Sequence, residues 1–556
     1  MRLRIVSGLF FASLALVTGD GAAHAQTLNH SYSAMEQGDF YQAFMALRQM
    51  ERAGDAQARA LLEDVFLAPS PELGLAMPSA PAAAPTPMAT PVAPAIVQTH
   101  ALPAPQRSLR PPSRPIVVAL RPRPAPRRAE PAQFKLPDPL DETSFRALDQ
   151  QLAQIGHLLF FDPILSGNKD ISCATCHHPQ LASGDGVSLG LGTGATGLGI
   201  ERQADGPMAA SKRIPRNAPA LWNLGAHEIR VMFHDGRVEI DPADPTGFLT
   251  PQGPLDYMSF DSVLAVQALF PPTSPEEMAG RPGENPIADA IANERFHGDD
   301  GVWALLAARV DGIAEYHAAF NAYRGSAAPV GMDEIANALA AFIEWEFRAL
   351  NTAFDRYLRE EAALSPEAGE GMRLFYGKAN CASCHSGTLM SDQGFHAMGM
   401  PPIGPGKQRD ESGYTKDIGR AFVSGDDGDA YAFRTPMLRN VTQTGPWGHS
   451  GAFSDLRDFL EHHLDPVVGL DSYEPQVVLP DIGGLVDDYD MLDNEKLIAQ
   501  IRAAAARSMA QRPLVNLDAD EIGFLLSFLE ALTDSTDDQT RMGVPESVPS
   551  GLPVIR

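Results

Sequence analysis

All four cysteines of the 556-residue chain fall in two copies of one pattern, Cys173-Ala174-Thr175-Cys176-His177 and Cys381-Ala382-Ser383-Cys384-His385. In C-x-x-C-H both thiols can form thioether bonds to the vinyl groups of haem, and the adjacent histidine is then placed to ligate the iron. A zinc site would need further ligands at matching spacing, and a redox dithiol has no use for the histidine or the duplicate. Each motif therefore predicts one covalently attached c-type haem: Cys173 and Cys176 with His177 on the iron, and Cys381 and Cys384 with His385. The motifs stand far apart in sequence, so each belongs to its own lobe.

The segment over 1–25 has Arg2 and Arg4, an apolar run from Ile5 to Val17, and Ala23-His24-Ala25, the order of a secretory signal peptide. That run is short for a bilayer span, so the chain is expected to be exported and not transmembrane after cleavage. Residues 26–68 read as a tetratricopeptide-like helical hairpin, with Tyr41, Phe44, Leu47 and Met50 on one stripe. Residues 69–133 hold seventeen prolines and no periodicity, which predicts a disordered, extended Pro/Ala-rich linker. Seven arginines face two glutamates there, within a chain of net charge −27. Such an acidic total excludes nucleic acid as the main partner.

From 134 onward the pattern is mostly α. Apolar spacing of three and four predicts helices over 144–161, 303–323, 332–358, 366–377, 454–464, 494–510 and 518–532, with Ser365 as an N-cap. The expected organisation is a first haem lobe over 134–355, a second over 356–534 and a tail over 535–556. Ser274-Pro275-Glu276-Glu277 has the form of a capping box, in which Glu277 would bond the Ser274 amide. On the helix over 454–464, His463 shares a face with Phe453, Leu456, Phe459 and Leu460, while His462 falls with Asp455 and Asp458 on the polar face.

The stretch 140–532 resembles the bacterial di-haem cytochrome c peroxidases and their relative MauG. The likeness rests on Ile155-Gly156-His157-Leu158-Leu159-Phe160-Phe161-Asp162, Leu165-Ser166-Gly167, Phe233-His234-Asp235-Gly236-Arg237, Phe433 through Val441, and Thr444-Gly445-Pro446-Trp447-Gly448-His449-Ser450-Gly451. It implies two cytochrome c-like lobes, a peroxidatic first haem and an electron-transfer second haem. It also implies a periplasmic enzyme that reduces hydrogen peroxide with electrons from a small redox protein. Two alternatives are a MauG-like oxidase that modifies Trp or Tyr residues of a partner protein and a non-enzymatic electron-transfer cytochrome.

The same resemblance assigns residues. Glu277, ten positions after Gln267, matches the distal acid–base glutamate, with Gln267 assisting. The family's distal histidine after the first motif is missing, because 181–200 contains no His, so the first haem is expected to be open at rest. The sixth ligand of the second haem lies fourteen positions after His449, which gives His463 ahead of His462, Met437 and Met398. A calcium ion between the lobes would draw on Asn217, Thr444 and Pro446. The inter-haem tryptophan of the family is His234 here, leaving Trp222 or Trp447 as substitutes.

Overall fold

The computed structural model describes residues 135–556, apart from 205–208, 211, 245, 256, 410–414, 483–491, 511, 513–514 and 535–540. The leader, hairpin and linker expected over 1–133 lie outside the described residues. Helices dominate: α1 (Gln150–Phe161), α2 (Val263–Gln267), α3 (Val302–Asp311), α4 (Ala314–Arg324), α5 (Met332–Glu346) and α6 (Ala353–Leu358) come first. They are followed by α7 (Pro366–Tyr376), α8 (Leu456–Leu464), α9 (Pro466–Asp471), α10 (Glu495–Met509) and α11 (Ala519–Glu530). The helix starts are chemically marked. Asp149 accepts from the Leu152 N–H at 3.0 Å, Ser365 from Ala368 at 3.1 Å, and Asp518 with Glu521 closes a capping box.

Two helices expected as continuous are each broken. The segment 303–323 divides at Gly312, where the Asp311 carboxylate bonds His317 and the Val330 N–H. The segment 332–358 opens between Phe347 and Thr352, because tertiary bonds take over its backbone. Phe347 O accepts from Asn223 N, Ala349 N donates to Asn223 Oδ1, and the Leu350 and Asn351 N–H groups donate to Asp534 Oδ2. Local periodicity carries no information about such distant acceptors.

Each half is organised around one close helix crossing. In the first, α1 lies along α5, and a side chain on Gly156 would overlap the Ala338 carbonyl. In the second, α7 lies along α11, and Gly371 stands in the same relation to the Phe524 carbonyl. Phe160, Phe161, Phe342 and Phe347 fill the first core, and Phe354, Phe375 and Phe528 the second. Burying an aromatic side chain of this kind is worth roughly 1.5–3 kcal/mol, so these crossings carry much of the stability.

The ends of the body are exchanged between the halves. Leu136 packs into the second core and the Leu140 N–H donates to Asp355 at 3.0 Å. Residues 541–556 run back over the first core: Arg541 and Met542 N–H groups donate to Glu346, Ser550 bonds Asp162, and the His157 ring donates to the Gly543 carbonyl at 2.7 Å. Val548 is buried there.

Strands are short and antiparallel. Val231–Met232, Val238–Ile240 and Phe248–Leu249 form a meander in which Met232 faces Val238 and Ile240 faces Phe248. Its first turn carries Asp235. Phe395–His396 pairs with Phe433–Arg434, and this pair backs the wall of the cavity described next.

Candidate functional site

The first motif forms a single helical turn, Cys173–Cys176, started by Ser172 and Thr175 bonding each other's backbone. His177 follows with its N–H on the Cys173 carbonyl, and its Nδ1 lies 3.0 Å from the Ser183 carbonyl. A carbonyl only accepts, so Nδ1 carries the proton and Nε2 keeps its lone pair. The second motif repeats this arrangement. Cys381–Ser383 is a tight turn, His385 N–H donates to Cys381 O, and His385 Nδ1 lies 3.1 Å from the Met390 carbonyl. Burial pushes both imidazoles below the ordinary histidine range, His385 to about 4 with help from nearby His463. Neutral imidazoles with a free Nε2 are what iron ligation requires.

All four thiols are unbridged. Burial pushes Cys173, Cys176 and Cys381 up to about 12, unlike the depressed thiolates of redox or zinc sites. Cys384 differs. Burial raises it, but a hydrogen bond from His396 and the Arg512 guanidinium outweigh burial and lower it. Ligand atoms of Cys384, Asp392 and His396 lie within 4.8 Å of one another, a trio that a thioether on Cys384 would put out of use.

A cavity of about 310 Å³ opens on the second motif, lined by Cys381, Cys384, His385 and His463. His463 Nδ1 is bonded to the Phe459 carbonyl at 2.8 Å, so its Nε2 is also unprotonated. Met398 and Met437 reach the same cavity. His462 does not line it. The expectation that His462 sits on a polar face is corrected: the ring is 3% exposed, bonds the Met398 carbonyl at 2.8 Å and packs on Phe453. The helix α9 folds back over that side of α8 and covers His462.

Asn217, Thr444 and Pro446 come together on the wall of this cavity. The Asn217 amide donates to the Val187 carbonyl at 2.8 Å, and the Thr444 hydroxyl donates to Val441 O at 3.2 Å. His234, Trp222 and Trp447 line it as well. His234 accepts no charge: burial and neighbouring Arg216 push it down to about 3. The Trp222 indole donates to the Ala182 carbonyl at 3.0 Å, one residue before the carbonyl that holds His177.

The first motif faces a different chemistry. Gln267 ends α2, and Glu277 stands in the wide turn Pro275–Ala279. The capping box does not form, because the Ser274 N–H donates to the Pro271 carbonyl at 3.1 Å. The Glu277 carboxylate instead meets the Ser274 side chain and lies within electrostatic reach of the Cys176 thiol. Burial raises its proton affinity, and Arg237 and Lys407 oppose that. The Gly-rich loop after the motif grips this turn: Thr193 N–H donates to Glu277 O at 2.8 Å. Arg202 ties the loop into shape by donating to the Leu191, Gly192 and Gly197 carbonyls. His178 turns away, fully buried, with its N–H on Gly184 O.

Arg202 and Lys407 were not legible as site residues in the sequence, since each is a single cation in a loop. The one available signal was an arginine closing a run of glycines.

Residues 150–363 match the family model described as di-haem cytochrome c peroxidase. The methylamine utilization protein MauG of Methylorubrum extorquens is 29% identical over 336 residues, 60% of this chain and 74% of its own. The cytochrome c551 peroxidase of Pseudomonas aeruginosa is 27% identical over 331 residues, 59% of this chain and 76% of its own. The diheme peroxidase BthA of Burkholderia thailandensis aligns with a TM-score of 0.45 at 20% identity, over 77% of this chain and 98% of that one.

Proposed function

The chain belongs to the bacterial di-haem cytochrome c peroxidase and MauG family, and on that premise we propose that it reduces hydrogen peroxide at the first site with electrons relayed through the second. In this reading each half is a cytochrome c-like lobe with one c-type haem. One asymmetry carries the assignment: the second motif shares its cavity with another neutral histidine, whereas the first faces a carboxylate. A closed, two-histidine iron suits electron transfer, and an open iron beside an acid–base group suits peroxide.

Haem iron, where bound, supplies the peroxide-binding position and the redox equivalents. The protein's share is proton movement. Glu277 takes the proton from the oxygen that binds and returns it to the oxygen that departs, so that peroxide, two electrons and two protons give two waters. Gln267 orients the peroxide by hydrogen bonding. Ser183 and Met390 hold His177 and His385 in the ligating tautomer. Calcium at Asn217, Thr444 and Pro446 belongs to this reading, as do an exported, periplasmic setting and a small redox protein as donor. No helix among the described residues is long and apolar enough to cross a membrane.

A second reading, oxidation of Trp or Tyr side chains of a partner protein, is favoured by His463 standing where peroxidases of the family usually carry Met. Peroxide added to the diferric protein separates the two. Turnover with a reduced small cytochrome supports the peroxidase, and a long-lived oxidised state that ignores the cytochrome supports the oxidase. Absence of any spectral change refutes both. Glu277→Gln should slow the peroxide reaction by about 10²–10⁴-fold with an unchanged melting temperature, because the carboxylate caps nothing.

A further inference from the structure

Four rings in contact lead outward from the segment that joins Gln267 to Glu277. Phe270 stands in that segment, with its N–H on the Gln267 carbonyl at 3.1 Å. The Trp303 indole meets the Phe270 ring edge-on at a centroid separation of 6.3 Å, and its N–H donates to the Leu269 carbonyl at 3.2 Å. The His297 ring lies 5.2 Å from Trp303, and the Tyr257 ring 5.7 Å from His297. Trp303 is 1% exposed and Tyr257 58%, so the row runs from the core to the surface. Phenylalanine resists one-electron oxidation, whereas indole and phenol are the most readily oxidised rings. Trp303 and Tyr257 are therefore the two redox-capable stations in the row.

The outer station carries its own proton acceptor. His297 Nε2 lies 3.1 Å from the Gln252 carbonyl, which only accepts, so in the neutral ring Nε2 holds the proton and Nδ1 the lone pair. The Tyr257 hydroxyl lies 2.8 Å from that Nδ1 and donates to it. A phenol gives up an electron readily only when its proton has somewhere to go, because the phenol radical cation is a very strong acid.

We propose that Tyr257 is an outlet through which the first site draws single electrons from phenolic reductants at the protein surface. The inference rests on the reading of that site as peroxide-reducing. An electron moves inward from Tyr257 through Trp303 while the phenolic proton crosses to His297 Nδ1, leaving a tyrosyl radical. A phenol touching the exposed ring returns the electron, His297 returns the proton, and the phenol's own proton leaves to solvent. Two such rounds supply the two electrons for one peroxide, and the first site takes up two protons, so one peroxide and two phenols give two waters and two phenoxyl radicals. Exchange between a phenol and a phenoxyl needs only contact of the rings, which suits a tyrosine more than half exposed.

The test adds hydrogen peroxide to the full-length, haem-loaded diferric protein and follows freeze-quench EPR, then the oxidation of guaiacol as the phenolic probe. Tyr257→Phe should abolish the tyrosyl signal and the guaiacol oxidation, while the haem spectra, their response to peroxide and turnover with a reduced small cytochrome stay unchanged. His297→Gln removes the base and should slow guaiacol oxidation by about 10²-fold. Trp303→Phe keeps an aromatic ring without the indole and should delay the tyrosyl signal. Haem spectra that ignore peroxide overturn the peroxide reading itself. Haems that respond, with the radical signal and guaiacol rate of Tyr257→Phe equal to those of the wild type, overturn the Tyr257 proposal alone.

Discussion

The ring of His463 is tethered at Nδ1 to the carbonyl of Phe459, one turn earlier in the same helix, at 2.8 Å. The bond fixes tautomer and ring orientation together and leaves Nε2 for the cavity that His385 also lines. In this arrangement the helix itself supplies the outer-sphere support that ligand histidines ordinarily take from a distant group.

If His463 is the sixth ligand, the ferric protein should show one low-spin haem of bis-nitrogen EPR character and one high-spin haem. His463→Ala should abolish the low-spin signal, and His463→Met should raise the potential of the second haem. His462→Ala should keep the low-spin signal but lower the melting temperature, since it empties a buried, hydrogen-bonded position. A low-spin signal that survives His463→Ala would move the ligand to Met398, Met437 or another side chain.

Haem stoichiometry tests the attachment. The double variant Cys381→Ala/Cys384→Ala should carry one covalent haem per chain by pyridine haemochrome, with the peroxide-facing high-spin signal retained. Two covalent haems in that variant would rule out Cys381 and Cys384 as attachment points.

Asp355 and Arg439 form a fully buried ion pair, with a 2.9 Å bond from Nη2 to Oδ1, and Asp355 also receives the Leu140 N–H and the Thr352 hydroxyl. Asp355→Ala strands a buried guanidinium and should cost about 3–5 kcal/mol. Replacing both partners by apolar residues, Asp355→Leu with Arg439→Met, should cost less than the single change. Denaturant melts of the three proteins read the difference.

Asp185 is buried in the Gly-rich loop, and burial pushes its carboxyl up to about 7, against its bond from Val187 N–H and the Arg202 charge. Its folded value lies above its unfolded one, so stability from this group is full below about pH 4 and is lost as pH rises toward 7. Asp185→Asn keeps the acceptor and removes the charge. It should match the wild type near pH 4 and exceed it above pH 7, by at most a few kcal/mol. A thermal-melt series across pH checks both ends.

The two motifs, the helical body and the inward side of His463 could all be read from residue order, because thioether chemistry and a 3.6-residue period leave local signatures. His462 could not. Asp455 and Asp458 beside it suggest solvent, but Asp455 caps its own helix and α9 folds over His462, where Gly469 leaves room for the ring. Glu277 was ambiguous for a related reason. Whether its carboxylate caps the Ser274 amide depends on Pro271, which takes that amide through a turn the box pattern does not encode. Lys407 lies furthest from legibility, since the Asp235 it faces comes from the stretch between the two motifs.

The exchanged ends also set a clock on biosynthesis. The first core is closed by residues 541–556, which leave the ribosome long after the cysteines at 173 and 176. At roughly 5–20 residues per second, the interval between them is on the order of tens of seconds. Throughout that interval the first half lacks its covering segment, so its core cannot close until 541–556 have been made.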